Sequence, residues 1–160
     1  MANINNIFLI GMMGSWKSTV GQKLAMNLNI SFVDTDNAIE KIMSKKLSEI
    51  FKEFGEEKFR EMESSYFVEK SKRSGFVFST GGGIVLDKKN RNTLQSNGIC
   101  FFLEASPKIL ANRINNVEKR PLINNREDTE VQLTEIWKKR KEFYYSSSHH
   151  TINTENIKPK

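Results

Sequence analysis

Short apolar runs alternate with amphipathic stretches along almost the whole chain. Asn6–Ile10 (NIFLI) is a short apolar run closed by Gly11, the pattern of a buried strand. Lys17–Leu28 follows with Val20, Leu24, Ala25 and Leu28 at helical spacing, and Ile30–Val33 is a second short apolar run that ends at Asp34. Helical periods cover Asn37–Met43, Leu47–Phe54 and Glu56–Lys72. Phe76–Phe78 predicts a third strand, stopped by Gly81-Gly82-Gly83; Lys88–Gln95 predicts a helix and Ile99–Leu103 a fourth strand. Ser106-Pro107 is a helix start, with serine as cap and proline in the first turn, and that helix runs to about Ile114. Asn115–Arg126 is polar and predicts an exposed mobile loop. A long helix over Asp128–Tyr145 and a last strand over Thr151–Asn153 complete the chain, with His149 and His150 leading into that strand.

Strand–helix alternation of this kind predicts an α/β fold, a parallel sheet with helices on both faces. Ligands then bind beyond the carboxyl ends of the strands, so the residues just after each strand carry the chemical information. The 160 residues fit one domain, and no internal repeat or linker divides them. No apolar run approaches the roughly 18–20 residues that span a bilayer. With one cysteine, Cys100, in an apolar run, no internal disulfide is possible; a small buried hydrophobe in a reducing cytoplasm is expected. The net charge of +6 suits small anionic ligands or a nucleic-acid surface. The densest basic cluster, Lys138–Lys141 (KKRK), lies in a helical pattern without the aromatic–basic face that stacks bases, which disfavours nucleic acid.

After the first strand stands GMMGSWKST, Gly11–Thr19. It follows the phosphate-loop pattern G-x-x-x-x-G-K-[ST] except at Trp16, where the pattern has glycine. In such a loop successive N–H groups cradle phosphate at a helix N-terminus, Lys17 reaches the outer phosphates and the Ser18 hydroxyl ligates Mg2+. After the second strand come Asp34 and Asp36; they read either as a helix cap with a surface acid, or as a Mg2+ partner with a group that orients or deprotonates an acceptor hydroxyl. After the third comes Thr80-Gly81-Gly82-Gly83, either a flexible turn or a backbone surface offering N–H groups to a small ligand. Two arginines stand on apolar faces: Arg140, at i+7 from Leu133 and i+3 from Trp137, and Arg60, beside Phe59 and able to pair with Glu63. If they face inward they require an anion, and a guanidinium fork suits a carboxylate.

Together these segments resemble shikimate kinase: GMMGSWKST, Asp34-Thr35-Asp36, Phe59-Arg60-Glu61-Met62-Glu63, Thr80–Gly83, Arg120-Pro121-Leu122 and Arg140–Tyr144. The resemblance implies the three-layer α/β/α fold of nucleoside monophosphate kinases with a five-stranded parallel sheet, in a single domain over 1–160. It implies a substrate-binding region at about 34–63 and a lid loop at about 115–126. The reaction it implies is ATP plus shikimate giving shikimate 3-phosphate and ADP, by a cytoplasmic monomer acting on small molecules, with no membrane or nucleic-acid partner. By the same resemblance Gly14, Ser15, Trp16, Lys17, Ser18 and Thr19 would hold the ATP phosphates, with Ser18 and Asp34 serving Mg2+. Asp36 would bind shikimate hydroxyls and act as base, while Arg60, Arg140 and the backbone at Gly81 and Gly82 would hold the rest of shikimate. Arg120 would close over ATP, and Arg113 resembles the residue that stacks on adenine. Lys17, Asp36 and Arg120 would be the catalytic set.

Trp16 departs from the family pattern. A bulky residue at φ > 0 costs about 1–3 kcal/mol, which as lost nucleotide affinity would be roughly 5- to 150-fold. Alternatively the indole blocks the phosphate cup. Two rival readings follow: another small-molecule kinase of this fold, such as a gluconate kinase, and a non-catalytic shikimate-binding pseudokinase.

Overall fold

The computed structural model describes residues 5–114, 121–123 and 128–160. Five strands, β1 (Asn6–Ile10), β2 (Ser31–Asp34), β3 (Phe76–Ser79), β4 (Gly98–Glu104) and β5 (His150–Asn153), form one sheet in the order β2-β3-β1-β4-β5. Every pairing is parallel. The central strand β1 lies between β3 and β4, so the chain departs from it in both directions, and the crevice at its carboxyl end is where an open α/β sheet accepts ligands.

The helices are α1 (Lys17–Leu28), α2 (Thr35–Met43), α3 (Leu47–Lys70), α4 (Lys88–Ser96), α5 (Pro107–Arg113) and α6 (Thr129–Ser147), with a short 3₁₀ turn at Ile84–Leu86. On one face Leu9 and Val77 pack with Ala25 of α1. On the other, Phe8, Phe78 and Phe102 pack with Phe67 of α3, Leu94 of α4 and Tyr144 of α6. Strands buried on both faces explain why β1 and β4 read as apolar runs rather than alternating ones.

The predicted elements are all present, and the differences have local causes. The two helical periods over 47–72 are one element with a kink at Gly55 (φ 81, ψ 168), a conformation that glycine alone adopts without strain. The 3₁₀ turn is too short to leave a periodic signal. Cys100 is buried, and burial pushes its thiol pKa up, so it is a hydrophobe rather than a nucleophile. His150 opens β5, and His149 Nδ1 accepts a hydrogen bond from the Cys100 N–H at 3.0 Å. Of the expected mobile loop over 115–126, only 121–123 are among the described residues. Among the described residues no helix is long and apolar enough to cross a membrane.

Candidate active site

The chain leaves β1 through Gly11 (φ 145) and Gly14 (φ 81) and enters α1 at Trp16 (φ 67, ψ 19). A side chain on Gly14 would press on the Leu110 carbonyl and on Ile114, so the loop's close seat on α5 needs glycine there. Trp16 caps α1 without a side-chain hydrogen bond, leaving first-turn N–H groups available to an anion. The loop keeps its left-handed residue at position 16 despite the indole. That strain is therefore present in the unliganded fold and weighs on stability; the part common to the free and bound states cancels from affinity.

Lys17 is buried, and its Nζ donates to Gly11 O (2.9 Å), Met12 O (2.9 Å) and Ser15 Oγ (3.2 Å). The ammonium is thus held across the mouth of the loop. Ser18 Oγ donates to Asp34 Oδ2 at 2.5 Å and lies 3.0 Å from Ser79 Oγ. Asp34 Oδ1 meanwhile accepts from the Asn37 N–H at 3.1 Å. Asp34 is therefore both the cap of α2 and the partner of Ser18, and the two sequence readings of this residue are compatible. Ser18, Asp34 and Ser79 present hard oxygen donors at one strand-end corner, a set that suits Mg2+ completing its shell with water and phosphate.

Two residues on, Asp36 faces a different neighbourhood. Its carboxyl pKa is raised from 3.8 to about 7, first by burial, then by Glu63 and Asp34; Lys17 and Arg60 pull the other way. Glu63 is fully buried, with its own pKa raised by burial and partly restored by Arg60 and Arg140. Arg60 Nη1 donates to Glu63 Oε2 at 2.7 Å, while Glu63 Oε1 and Arg60 Nε lack hydrogen-bond partners among the described residues. Arg140 is 5% exposed in a run whose lysines, Lys138, Lys139 and Lys141, are exposed. The stripe on α6 thus selects one member of KKRK for the interior.

The glycine triplet is not a flexible turn. None of the three has positive φ; Gly81 and Gly83 are small because the site is crowded, whereas a side chain on Gly82 would make only ordinary contacts. A side chain on Gly81 would collide with the carboxylates of Glu63 and Asp36, and one on Gly83 with the Arg60 guanidinium. The Gly81 N–H donates to Thr35 Oγ1 at 2.9 Å, and Tyr144 Oη donates to Gly82 O at 2.5 Å.

These groups converge on one cavity of about 250 Å³. It is lined by Gly14 to Thr19, Asp34, Asp36, Arg60, Gly81, Gly82, Arg113 and Arg140, which is every candidate residue named from the sequence except Arg120. Arg120 lies outside the described residues, although Pro121 and Leu122 beside it line the cavity. In the sequence Glu63 shows only as a partner for Arg60; its place against Asp36 and Gly81 appears in the fold. So do Ser79 beside Ser18 and the apolar wall of Leu47, Phe51 and Phe59. Serine closing an apolar strand was the available hint for Ser79; the wall carries no signal beyond ordinary amphipathic spacing.

A family model described as Shikimate kinase matches residues 13–160. The chain belongs to the shikimate kinase family. A shikimate kinase of Pasteurella multocida is 42% identical over 155 residues, covering 97% of this chain and 89% of the relative. Among solved structures, a shikimate kinase from Acinetobacter baumannii in complex with shikimate superposes with a TM-score of 0.89 at 34% identity, covering 93% of this chain and 83% of that one. A gluconokinase from Sinorhizobium meliloti, at 16% identity and a TM-score of 0.54, shares the fold alone. As in the family, five parallel strands carry helices on both sides.

Proposed function

We infer that this chain transfers the γ-phosphoryl group of ATP to the 3-hydroxyl of shikimate. The observation that carries the reading is the single cavity in which a phosphate loop at one end faces two arginines and a perturbed aspartate at the other. Gly14 to Thr19 bind the phosphates through loop N–H groups, with Lys17 exchanging part of its hold on the loop carbonyls for the outer phosphates. Ser18 and Asp34 are the residues that would hold Mg2+, which when bound neutralises charge on the phosphates. Arg60 and Arg140 clamp the shikimate carboxylate, oriented by Glu63 and Tyr144, and the backbone at Gly81 and Gly82 completes the acceptor wall.

Asp36 accepts the hydroxyl proton as the oxygen attacks. A carboxyl titrating at about 7 is well matched to that work at neutral pH. Arg113 lies at the nucleotide end, and Arg120 is assigned by motif to close over the donor. Residues 34–63 form much of the acceptor side of one domain spanning 1–160, with the lid at 115–126, in a cytoplasmic monomer. A gluconate kinase shares the fold but at 16% identity lends no support for its substrate. A purely shikimate-binding role would use Asp36 but leave Lys17, Ser18 and Asp34 at the nucleotide end without a ligand.

The reading is tested by titrating shikimate, then gluconate, into the nucleotide-free protein by calorimetry. Saturable binding of shikimate without comparable binding of gluconate is expected. Comparable binding of gluconate, or none of shikimate, would remove the acceptor assignment.

A further inference from the structure

Trp16 does not point away from the site. The Arg113 guanidinium lies over its ring, 3.6 Å from the centroid, and both residues line the cavity together with Lys17 and Ser18. Neither partner is placed loosely. Trp16 is the left-handed cap residue of α1, fixed by the backbone of the phosphate loop. Arg113 is held by its edge: Nη1 donates to Thr154 Oγ1 at 3.0 Å and Nη2 to Thr154 O at 2.6 Å. Thr154 is itself buried, with its N–H and Oγ1 both donating to Glu104 O at 2.8 and 3.0 Å. The strut from β4 through Thr154 sets the plane of the guanidinium, and the indole covers one face of it.

A guanidinium plane beside a phosphate cradle offers a planar nucleobase a stacking face. Indole and purine are both fused nine-atom bicycles, so the indole covers the area a purine would take. We propose that Trp16 is a donor-specificity determinant: its indole occupies the base-stacking face of Arg113, so a nucleotide binds through its phosphates and gains little from its base unless it displaces the ring. This rests on the nucleotide reading of the phosphate loop given above. It differs from a blocked phosphate cup, because Lys17, Ser18 and the uncapped start of α1 still face the cavity.

The test compares the Kd of Mg-ATP with that of Mg-tripolyphosphate, which has the phosphates and no base, by calorimetry on the whole chain. Wild type, Trp16→Gly, Arg113→Ala and the double variant are used; glycine suits φ 67, so Trp16→Gly keeps the loop's fold. In wild type the two ligands are expected to bind within about threefold, less than a good stack is worth. Trp16→Gly should tighten ATP by about 2- to 30-fold, the range of a freed cation–π face, and move tripolyphosphate by less than about twofold. The gain should vanish when Arg113 is alanine.

Equal tightening of both ligands would locate the effect in the cradle and overturn the proposal. Weaker ATP binding by Trp16→Gly would also overturn it, making the indole a support for the base. Binding of neither ligand by any form would instead remove the nucleotide reading on which the proposal stands.

Discussion

The two ends of the cavity are built on opposite principles. At the acceptor end, charged side chains are buried (Glu63, Arg140) or half-buried (Arg60, Asp36) and mutually paired: Arg60 on Glu63, Glu63 beside Asp36, Arg140 near Glu63 and Tyr144. Helices α2, α3 and α6 supply them, and glycines at 81 and 83 make room for them. At the donor end the cradle is backbone, its conformation is strained at Trp16, and the side chains above it stack on each other. On the proposed function, selectivity for a small acceptor would come from fixed, desolvated charges, which a substitution would leave unpaired. Phosphate recognition would come from backbone N–H groups, which every residue but proline supplies, so even a tryptophan can stand in the loop. The comparison predicts that changes at the acceptor end are costly for the reaction, whereas changes at position 16 move stability and donor preference.

The largest effect is expected from Asp36→Asn. Loss of the base should reduce turnover by about 10²- to 10⁴-fold with ATP binding unaltered, followed as shikimate-dependent ADP release. Undiminished turnover would exclude Asp36 as the base and leave the acceptor end a binding pocket only. Next is Arg140→Ala, which should weaken shikimate by about 2–5 kcal/mol because Arg140 is buried beside its partners. An unchanged shikimate Kd in calorimetry would reduce Arg140 to a structural residue.

A smaller effect is the pH dependence that Asp36 imposes. Its folded pKa of about 7 lies above the ordinary 3.8, so the carboxyl is neutral through the mildly acid range and ionises near neutrality. As the base, it should make kcat/KM rise with pH and level off above about 7. For stability the sign is opposite. The advantage of holding a neutral carboxyl is fully present below pH 3.8 and is lost as pH climbs to about 7. Asp36→Asn should therefore raise stability at pH 8 by up to about 4 kcal/mol, the full shift at about 1.4 kcal/mol per unit, and change it little at pH 3.5, measured by urea unfolding. A variant no more stable at pH 8 than wild type would mean that Asp36 is not strained by its neighbours.

The smallest effect concerns the other end. Trp16→Gly relieves a left-handed tryptophan but adds freedom to the unfolded chain, for a net gain of about 1 kcal/mol. In a chain of this size that corresponds to a melting temperature higher by about 2–4 °C. A lower melting temperature would show that the Arg113 stack outweighs the strain.

Much of this was legible in the sequence because it is local. Each strand end, the loop motif, the pair Arg60 and Glu63 at i+3, and the inward stripe bearing Arg140 is a pattern contained within one short segment. What was not legible depends on register between distant segments. Thr35 meets Gly81, Glu63 meets Asp36 across that glycine, and Ser79 meets Ser18 only because β2, β3 and β1 pair as they do. The glycine triplet illustrates the limit: its composition suggests backbone freedom, whereas packing against Asp36, Glu63 and Arg60 is the reason for Gly81 and Gly83. At Trp16 the family's loop glycine implies φ > 0, which the fold keeps, but the stack on Arg113 joins positions that no local pattern connects.

Phosphoryl transfer from ATP to shikimate by this chain is decided by steady-state ADP release with Mg-ATP and either shikimate or gluconate as acceptor. Turnover should depend on shikimate, saturate with it, and be accompanied by an equal amount of shikimate 3-phosphate, with no turnover on gluconate. Turnover on gluconate alone, or shikimate binding with no ADP released, would contradict that assignment.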